Sequence, residues 1–320
     1  MKQDHIAGSR SPRASHVTLP RLEAPFPCML DFLDGHFPRV GREVWAERLQ
    51  NGKIHDEQGR AVDEATPYRV NARLSYYREV ASEPRIPFAE RIVYEDDEIL
   101  VADKPHFLPV TPAGQYVNEC LLHRLVLRTG NEQLVAVHRL DRGTAGLVLL
   151  SKRRETRKAW FALFREGRID KRYEAVASLP EDAQKRTWLV ESRIERSDAW
   201  ITFTNVPGEI NARSHIELLR TSGERGFYAL SPLTGKTHQL RLHMGLIGAQ
   251  IVNDRFYPVL QPFSARPDYA HPLQLLARSL AFTDPLSGEP HCFASTRRLS
   301  AWSDAGSDEG ADAGPGEAPL

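Results

Sequence analysis

The chain has 320 residues, 41% of them hydrophobic and 26% charged, and its 42 Lys and Arg are balanced by 42 Asp and Glu. That composition suits a soluble globular protein with room for one large domain and a small one, and no apolar run approaches the roughly 20 residues of a membrane span. The opening residues, MKQDHIAGSRSPRASHVTLPR, lack the apolar core of a secretory signal, and three scattered cysteines (Cys28, Cys120, Cys292) form neither a disulfide framework nor a metal cluster, so a reduced, cytoplasmic protein is expected.

Residues 1–22 are polar and without periodicity, which predicts a disordered leader. A small module follows over 25–80. Leu30, Phe32, Leu33 and Phe37 suggest a short helix; Val44, Trp45 and Leu49 suggest a second, ending at Asn51-Gly52. Lys53–His55, Asp56–Gly59 and Tyr68–Val70 read as short strands and turns, and Leu74–Tyr77 closes the module. This layout resembles the small RNA-binding domain of the ribosomal-protein S-four type. Its charge departs from that pattern, since residues 31–80 carry eight Lys/Arg against nine Asp/Glu. A nucleic-acid module presents a basic face. Either Arg39, Arg42, Arg48 and Lys53 gather on one face, or the module is structural.

Residues 81–90, with Pro84 and Pro87, read as a linker to a second domain over 91–300. That domain opens with a hairpin, Ile92–Ala102, stopped by Lys104-Pro105, and continues with a helix over 117–127. The chain centres on Val137–Lys152. There Asp141 stands between Arg139 and Arg142, beside the turn residues Gly143–Gly146 and the buried strand Leu147–Leu150. Alone, this could be an ion pair capping a strand. The next segment argues for more. A helix over 153–168 sets Trp160, Phe161 and Phe164 against a basic side, and His138–Arg172 holds eleven Lys/Arg against four acids, a net of +7 suited to a polyphosphate backbone.

Lys171–Ala177 alternates like a strand and brings Tyr173 toward the same region. Short runs at 187–190, 200–203, 215–219 and 227–230, separated by turns, imply a largely antiparallel sheet. Residues 233–244 fit either a strand with Leu240 and Leu242 on one face or a helix with a 240/244/247 face. His238 and His243 have no cysteine or carboxylate cluster beside them, so no metal site is expected. Arg241, among apolar neighbours, requires an acid partner, and Asp141 is the natural one. Residues 303–320, with five acids and no base, read as a disordered acidic tail.

There is no P-loop, GxGxxG, zinc signature or nucleophilic Ser/Cys motif. What fits is a cofactor-free enzyme acting on a nucleotide within RNA through a carboxylate. The motifs point the same way. His138-Arg139-Leu140-Asp141 through Gly146 resembles the HRLDxxTSG signature of RluA-type pseudouridine synthases. Tyr94-Glu95-Asp96 through Lys104-Pro105, Lys171-Arg172-Tyr173, and Thr234–Arg241 with Gly248 and Asp254 are similar to three further segments of that family in the same order.

The resemblance covers Ile92 to Phe293. It implies an α+β fold with a mixed, largely antiparallel central sheet, and isomerisation of uridine in ribosomal or transfer RNA. By the same resemblance Asp141 is the catalytic aspartate, Tyr173 an aromatic surface and proton acceptor, and Arg241 the cation that keeps Asp141 ionised. Arg139 fills the gap left by the flipped nucleotide, and His138, Arg142, Lys171, Lys236 and His238 contact RNA. A monomer with RNA as its partner, no membrane and no metal is expected. The chain departs from the family pattern at Ala145 (serine), Asp103 (asparagine) and Leu276 (histidine). The alternatives are a non-catalytic RNA-binding protein of the same fold and a glycosylase that releases free uracil.

Overall fold

The structure is a computed structural model that describes residues 5–38, 40–182, 184–199, 201–262 and 268–302. In chain order the first half holds β1 (His5–Arg10), β2 (Ser15–Thr18), α1 (Met29–His36), α2 (Arg42–Gln50), β3 (Ile54–His55), β4 (Arg73–Tyr76), β5 (Glu79–Pro84), β6 (Arg91–Glu95), β7 (Ile99–Lys104), α3 (Leu121–Thr129), β8 (Val135–Ala136) and β9 (Ala145–Ser151). Then come α4 (Arg157–Arg165), β10 (Ile169–Ser178), β11 (Thr187–Arg196), β12 (Phe203–Val206), β13 (Ala212–Ser222), β14 (Arg225–Pro232), α5 (Gln239–Leu246), β15 (Leu275–Thr283) and β16 (Pro290–Ala294). Two compact units result: Met1–Arg85 with Pro112–Arg124, and Ile86–Thr111 with Leu125–Leu320.

In the first unit α1 and α2 pack on the three-stranded sheet β2-β4-β3. Phe32, Leu33, Trp45, Ile54 and Leu74 fill this core and are almost wholly buried. The predicted helices match closely, because their apolar residues recur at helical spacing. The leader does not. Residues 5–10 and 15–18 are strands, with Val17 and Leu19 buried in the core. The alternation of His16, Val17 and Thr18 is too short to signal a strand, but pairing with β4 supplies what the local sequence lacks.

Of the short strands and turns expected there, Lys53–His55 holds β3, while Tyr68–Val70 is a loop whose Tyr68 hydroxyl donates to the Pro20 carbonyl at 2.6 Å. The linker also begins later than expected, since β5 pairs with β1. Within β5, buried Glu83 accepts N–H bonds from Val117, Asn118 and Glu119 at 2.6–2.9 Å. These three residues form the turn that precedes α3, which therefore starts four residues later than its apolar spacing suggests.

The possible basic face of this unit is largely spent internally. Arg42 pairs with Asp31 at 2.8 Å and Lys53 with Glu79 at 2.8 Å. Arg48 is buried over the Trp45 ring. Arg39 and the acidic tail at 303–320 lie outside the described residues.

The second unit is built on an eleven-stranded sheet ordered β12-β11-β13-β14-β10-β15-β9-β7-β6, with β16 beside β15 and β8 beside β9. Its strand pairs are antiparallel except β15 with β9, so the mixed, largely antiparallel expectation holds. Every residue of β9 is buried, as its unbroken apolar run requires. α4 covers one region of the sheet through Trp160 and Leu163, packed with Ile99, Val101, Leu147 and Leu149. α5 covers another through Leu240 and Met244, packed with Ile216, Tyr228 and Leu230. α4 is shorter than the predicted 153–168. Gly167, in the left-handed region at φ +68°, ends it.

One glycine of the central motif has a steric reason. Gly146 pairs with Ala277 where β9 meets β15, at φ +112°, and a Cβ there would lie 2.2 Å from the Ala277 carbonyl oxygen. The obstacle is backbone, which cannot rotate away as a side chain can. Gly146→Ala should therefore lower unfolding stability by about 3 kcal/mol, read as a shift of the denaturant midpoint. An unchanged midpoint would contradict this close approach.

Candidate active site

Asp141 sits in the turn between β8 and β9. The Thr144 N–H donates to the Asp141 carbonyl at 3.1 Å, closing a four-residue turn in which Arg142 is exposed and Thr144 buried. Two neighbours brace the turn from below. The His106 Nδ1 lies 2.7 Å from the Gly143 carbonyl. Lys104, at the end of β7 and fully buried, donates to the carbonyls of Pro105 (3.1 Å), Leu108 (2.8 Å) and Arg142 (3.4 Å). Burial pulls the Lys104 ammonium down to about 7, while the nearby charge of Asp141 opposes that fall. The Asp141 turn is thus fixed to the sheet by the buried Lys104 side chain.

Facing Asp141 is α5. The turn before it is organised by buried Gln239, all of whose hydrogen-bonding capacity is used. Its Oε1 accepts from the Thr234 hydroxyl (2.7 Å) and the Lys236 N–H (3.0 Å), and its Nε2 donates to the Arg213 carbonyl (2.8 Å) and Ser214 (2.9 Å). His238 then adopts a left-handed conformation at φ +58°, uncommon for a non-glycine residue, and starts the helix. Its ring comes 3.8 Å from Asp141 through Nε2, while Nδ1 is 2.8 Å from the Tyr257 hydroxyl. Burial holds the His238 imidazole below its usual range, against the pull of Asp141, so it is neutral.

Arg241 lies one turn along α5 with a side chain only 6% exposed. It pairs with Asp141 as expected, but a second acid holds it more closely. Asp254, not Asp141, takes the guanidinium fork, with Nε at 2.7 Å and Nη2 at 2.6 Å. Asp141 receives only Nη1, at 3.3 Å. The reason is geometric: Asp254 is itself buried and held by the N–H groups of Phe256 (2.9 Å) and Tyr257 (3.2 Å), so its two oxygens match the fork. Phe256 and Tyr257 also lie against the guanidinium, at 4.7 and 5.1 Å from ring centre. Burial opposes the Arg241 charge, but Asp254 and Asp141 outweigh it and raise the group above its ordinary range. Arg241 is a fixed cation beside a carboxylate that stays reachable, since the Asp141 side chain is 27% exposed.

Tyr173 completes the group from β10. A register shift between Arg172 and Tyr173, against Ser279 and Ala277 of β15, turns its side chain to this side of the sheet. Burial, reinforced by the Asp141 charge, pushes the Tyr173 phenol up, so it rests protonated. The structure brings Asp141, Tyr173, Arg241 and His238 together; Lys104, His106, Gln239 and Tyr257, which stand beside them, had no separate prominence in the sequence. Their signal was weak, for each is a single polar residue in an apolar or turn context.

The residues expected at RNA divide. Arg139, Arg142 and Lys236 are exposed, and Lys171 is half-buried, its Nζ 3.5 Å from the Thr234 carbonyl. His138 is not placed as expected. Its Nε2 accepts the Leu149 N–H at 3.1 Å and its ring stacks on Phe164 at 4.3 Å, so it belongs to the scaffold. Burial drives its imidazole down to about 3, and that of His106 down to about 4.

Both folded values lie below the ordinary 6.5, so the unfolded chain binds protons that the folded chain refuses. The stability they contribute is present above pH 6.5 and is lost as pH falls toward 3–4. Each should give a slope of up to about 1.4 kcal/mol per pH unit. His138→Gln, which keeps an acceptor for Leu149, should flatten the fall of the denaturant midpoint between pH 6.5 and 4.5. An unaltered slope would refute the burial of a neutral His138.

The three departures from the resembled pattern have structural counterparts. Ala145 and Leu276 are register partners between β9 and β15, both fully buried with Val176, Phe227 and Leu299. An apolar pair therefore stands where the pattern has a hydroxyl and an imidazole. Buried Asp103 is answered by Arg297 at 3.0 Å and by the Ser295 hydroxyl at 2.8 Å.

Among the described residues no group of three His, Cys, Asp or Glu is placed to hold a metal, and no helix is long and apolar enough to cross a membrane. Residues 98–245, which include Asp141, Tyr173 and Arg241, match the family model described as RNA pseudouridylate synthase. An uncharacterized RNA pseudouridine synthase of Synechocystis sp. is 30% identical over 232 residues, covering 72% of this chain and 79% of that protein. The chain belongs to the RNA pseudouridine synthases.

Among other synthases, the ribosomal large subunit pseudouridine synthase C of Buchnera aphidicola is 28% identical over 68% of this chain and 67% of its own length. The solved structure of human RNA Pseudouridylate Synthase Domain Containing 1 shares the fold, with a TM-score of 0.54 at 22% identity, over 67% of this chain and 86% of that one. The synthase fold expected from the motifs is therefore present. Asp254 lies beyond the residues matched by the family model, although it holds the arginine inside them.

Proposed function

We propose that this synthase isomerises uridine at defined positions of structured ribosomal or transfer RNA, with Asp141 as the group that acts on the nucleoside. The observation that carries the reading is the contact of a partly exposed carboxylate with a buried, fully anchored guanidinium. The guanidinium sets a fixed positive charge beside the Asp141 carboxylate, which can attack the nucleoside or abstract a proton from it. The C1′–N1 bond breaks, the uracil turns, and a C1′–C5 bond forms. The proton at C5 leaves to a base and N1 gains one, so no oxidant or cofactor enters.

The target nucleotide must leave its stack to reach Asp141. Exposed Arg139, two residues away in sequence, fills the gap, and exposed Arg142 and Lys236 together with Lys171 hold nearby phosphates. Tyr173 offers an aromatic surface to the base. Because its phenol rests protonated, it accepts a proton only in concert with the loss of its own. His238 is neutral and buried, which gives it a role in positioning through Tyr257 rather than in pairing a phosphate. All these groups come from one unit of one chain, consistent with action as a monomer.

The test uses RNA carrying tritium at C5 of uridine. Purified protein should release tritium to water in step with pseudouridine, without free uracil. Free uracil would make it a glycosylase, and RNA binding without tritium release would make it a non-catalytic binder.

A further inference from the structure

α4 buries Trp160 and Leu163 and turns Lys158, Phe161 and Arg165 outward. Their spacing of three and four places all three on one helical face, spanning about 10 Å. Exposed Arg154 precedes the helix and exposed Arg168 follows it. The charges on this face are poorly compensated. Arg165 and Arg168 share the single carboxylate of Glu166, at 2.9 Å each. Arg154 and Lys158 have no ion-pair partner among the described residues. Phe161, in the middle, is 39% exposed. A solvated helix face needs neither the unbalanced charge nor the ring.

The face is also tied to the candidate active site within one unit, since Phe164 stacks on His138, three residues before Asp141. None of the residues assigned above to the target nucleotide lies on it. Resting on the reading of this chain as an RNA-modifying enzyme, we propose that α4 is a second RNA contact, which docks the substrate strand beyond the target nucleotide. Arg154, Lys158, Arg165 and Arg168 pair with its phosphates, and Phe161 lies against a base or ribose. Polyphosphate supplies the matching charge, and an unpaired nucleotide supplies the π-face that a lone exposed phenylalanine fits.

The experiment compares the full chain with Arg154→Gln/Lys158→Gln and with Phe161→Ala, using a long transcript that the wild type modifies. Removing two phosphate contacts should weaken binding about tenfold near 0.1 M salt and reduce the slope of log K against log salt by about 1.4–1.8. Phe161→Ala should weaken binding about tenfold with no change of slope. In both, the lost rate should return at saturating RNA, and unchanged thermal midpoints would show that the helix is intact.

Wild-type affinity and salt slope in the double variant would overturn the docking surface while leaving the enzymatic reading in place. If deleting residues 303–320 removes the difference between wild type and variant, the acidic tail rather than RNA occupies this face, and the proposal fails. A wild type that modifies no RNA would instead sink the underlying reading.

Discussion

Asp141→Asn should give a folded protein that binds RNA and makes pseudouridine at least about ten thousand times more slowly. The two halves of this expectation have separate causes. Loss of activity follows because an amide can neither attack the nucleoside nor take its proton, and no second carboxylate is free at the site. Asp254 is consumed by the Arg241 fork and two backbone N–H groups. Retention of the fold follows from the same arrangement. Arg241 keeps its two short bonds to Asp254 when the 3.3 Å contact to Asp141 goes, so no buried charge is orphaned. Denaturation midpoint and RNA affinity should stay near wild type while single-turnover pseudouridine formation disappears. A variant that fails to fold would mean that Asp141 is a strand cap.

Asp254→Ala should be the opposite kind of lesion. It strips a guanidinium that is 6% exposed of its main partner and leaves the Phe256 and Tyr257 N–H groups without their acceptor. Breaking a buried pair in this way costs about 3–5 kcal/mol. What remains of the Arg241 fork turns to Asp141, pinning the carboxylate that must move to the substrate. Stability and activity should therefore fall together.

Removing both charges separates the two effects. Asp254→Leu with Arg241→Met should recover much of the stability, since apolar replacement of a buried pair is close to neutral. It should recover no activity, because the cation beside Asp141 is gone. Recovery of turnover in the double variant, measured by tritium release, would contradict the assigned role of Arg241.

Much of this site was legible in the sequence, and the parts that were not have physical reasons. Asp141 stood out because turn chemistry and a buried strand flank it. Tyr173 stood out because its strand alternates beside a basic run. Arg241 was legible as a buried cation paired with Asp141, but its closer partner Asp254, thirteen residues on, was not, since no local pattern links the two. Residues 233–244 fitted both a strand and a helix, and the burial of Gln239–Met244 on all sides, which erases periodicity, explains why.

Lys104 was noticed as the end of a hairpin and of a family-like motif, with no role of its own. That its ammonium is wrapped by three carbonyls depends on how 105–108 and 142 come together, which no local pattern encodes. Strands β1 and β2 were missed for a related reason. They are short and polar and are strands only because β5 and β4 pair with them. His138 was misjudged because a motif histidine among arginines looks like an RNA ligand until its ring is seen against Phe164.

The most direct test of Asp141 as the centre of a uridine-isomerising site is a pseudouridine map of ribosomal and transfer RNA from cells lacking this protein. One or a few specific pseudouridines should vanish, return on expression of the wild type, and stay absent with Asp141→Asn produced at the same level. An unchanged map, or restoration by Asp141→Asn, would contradict the account.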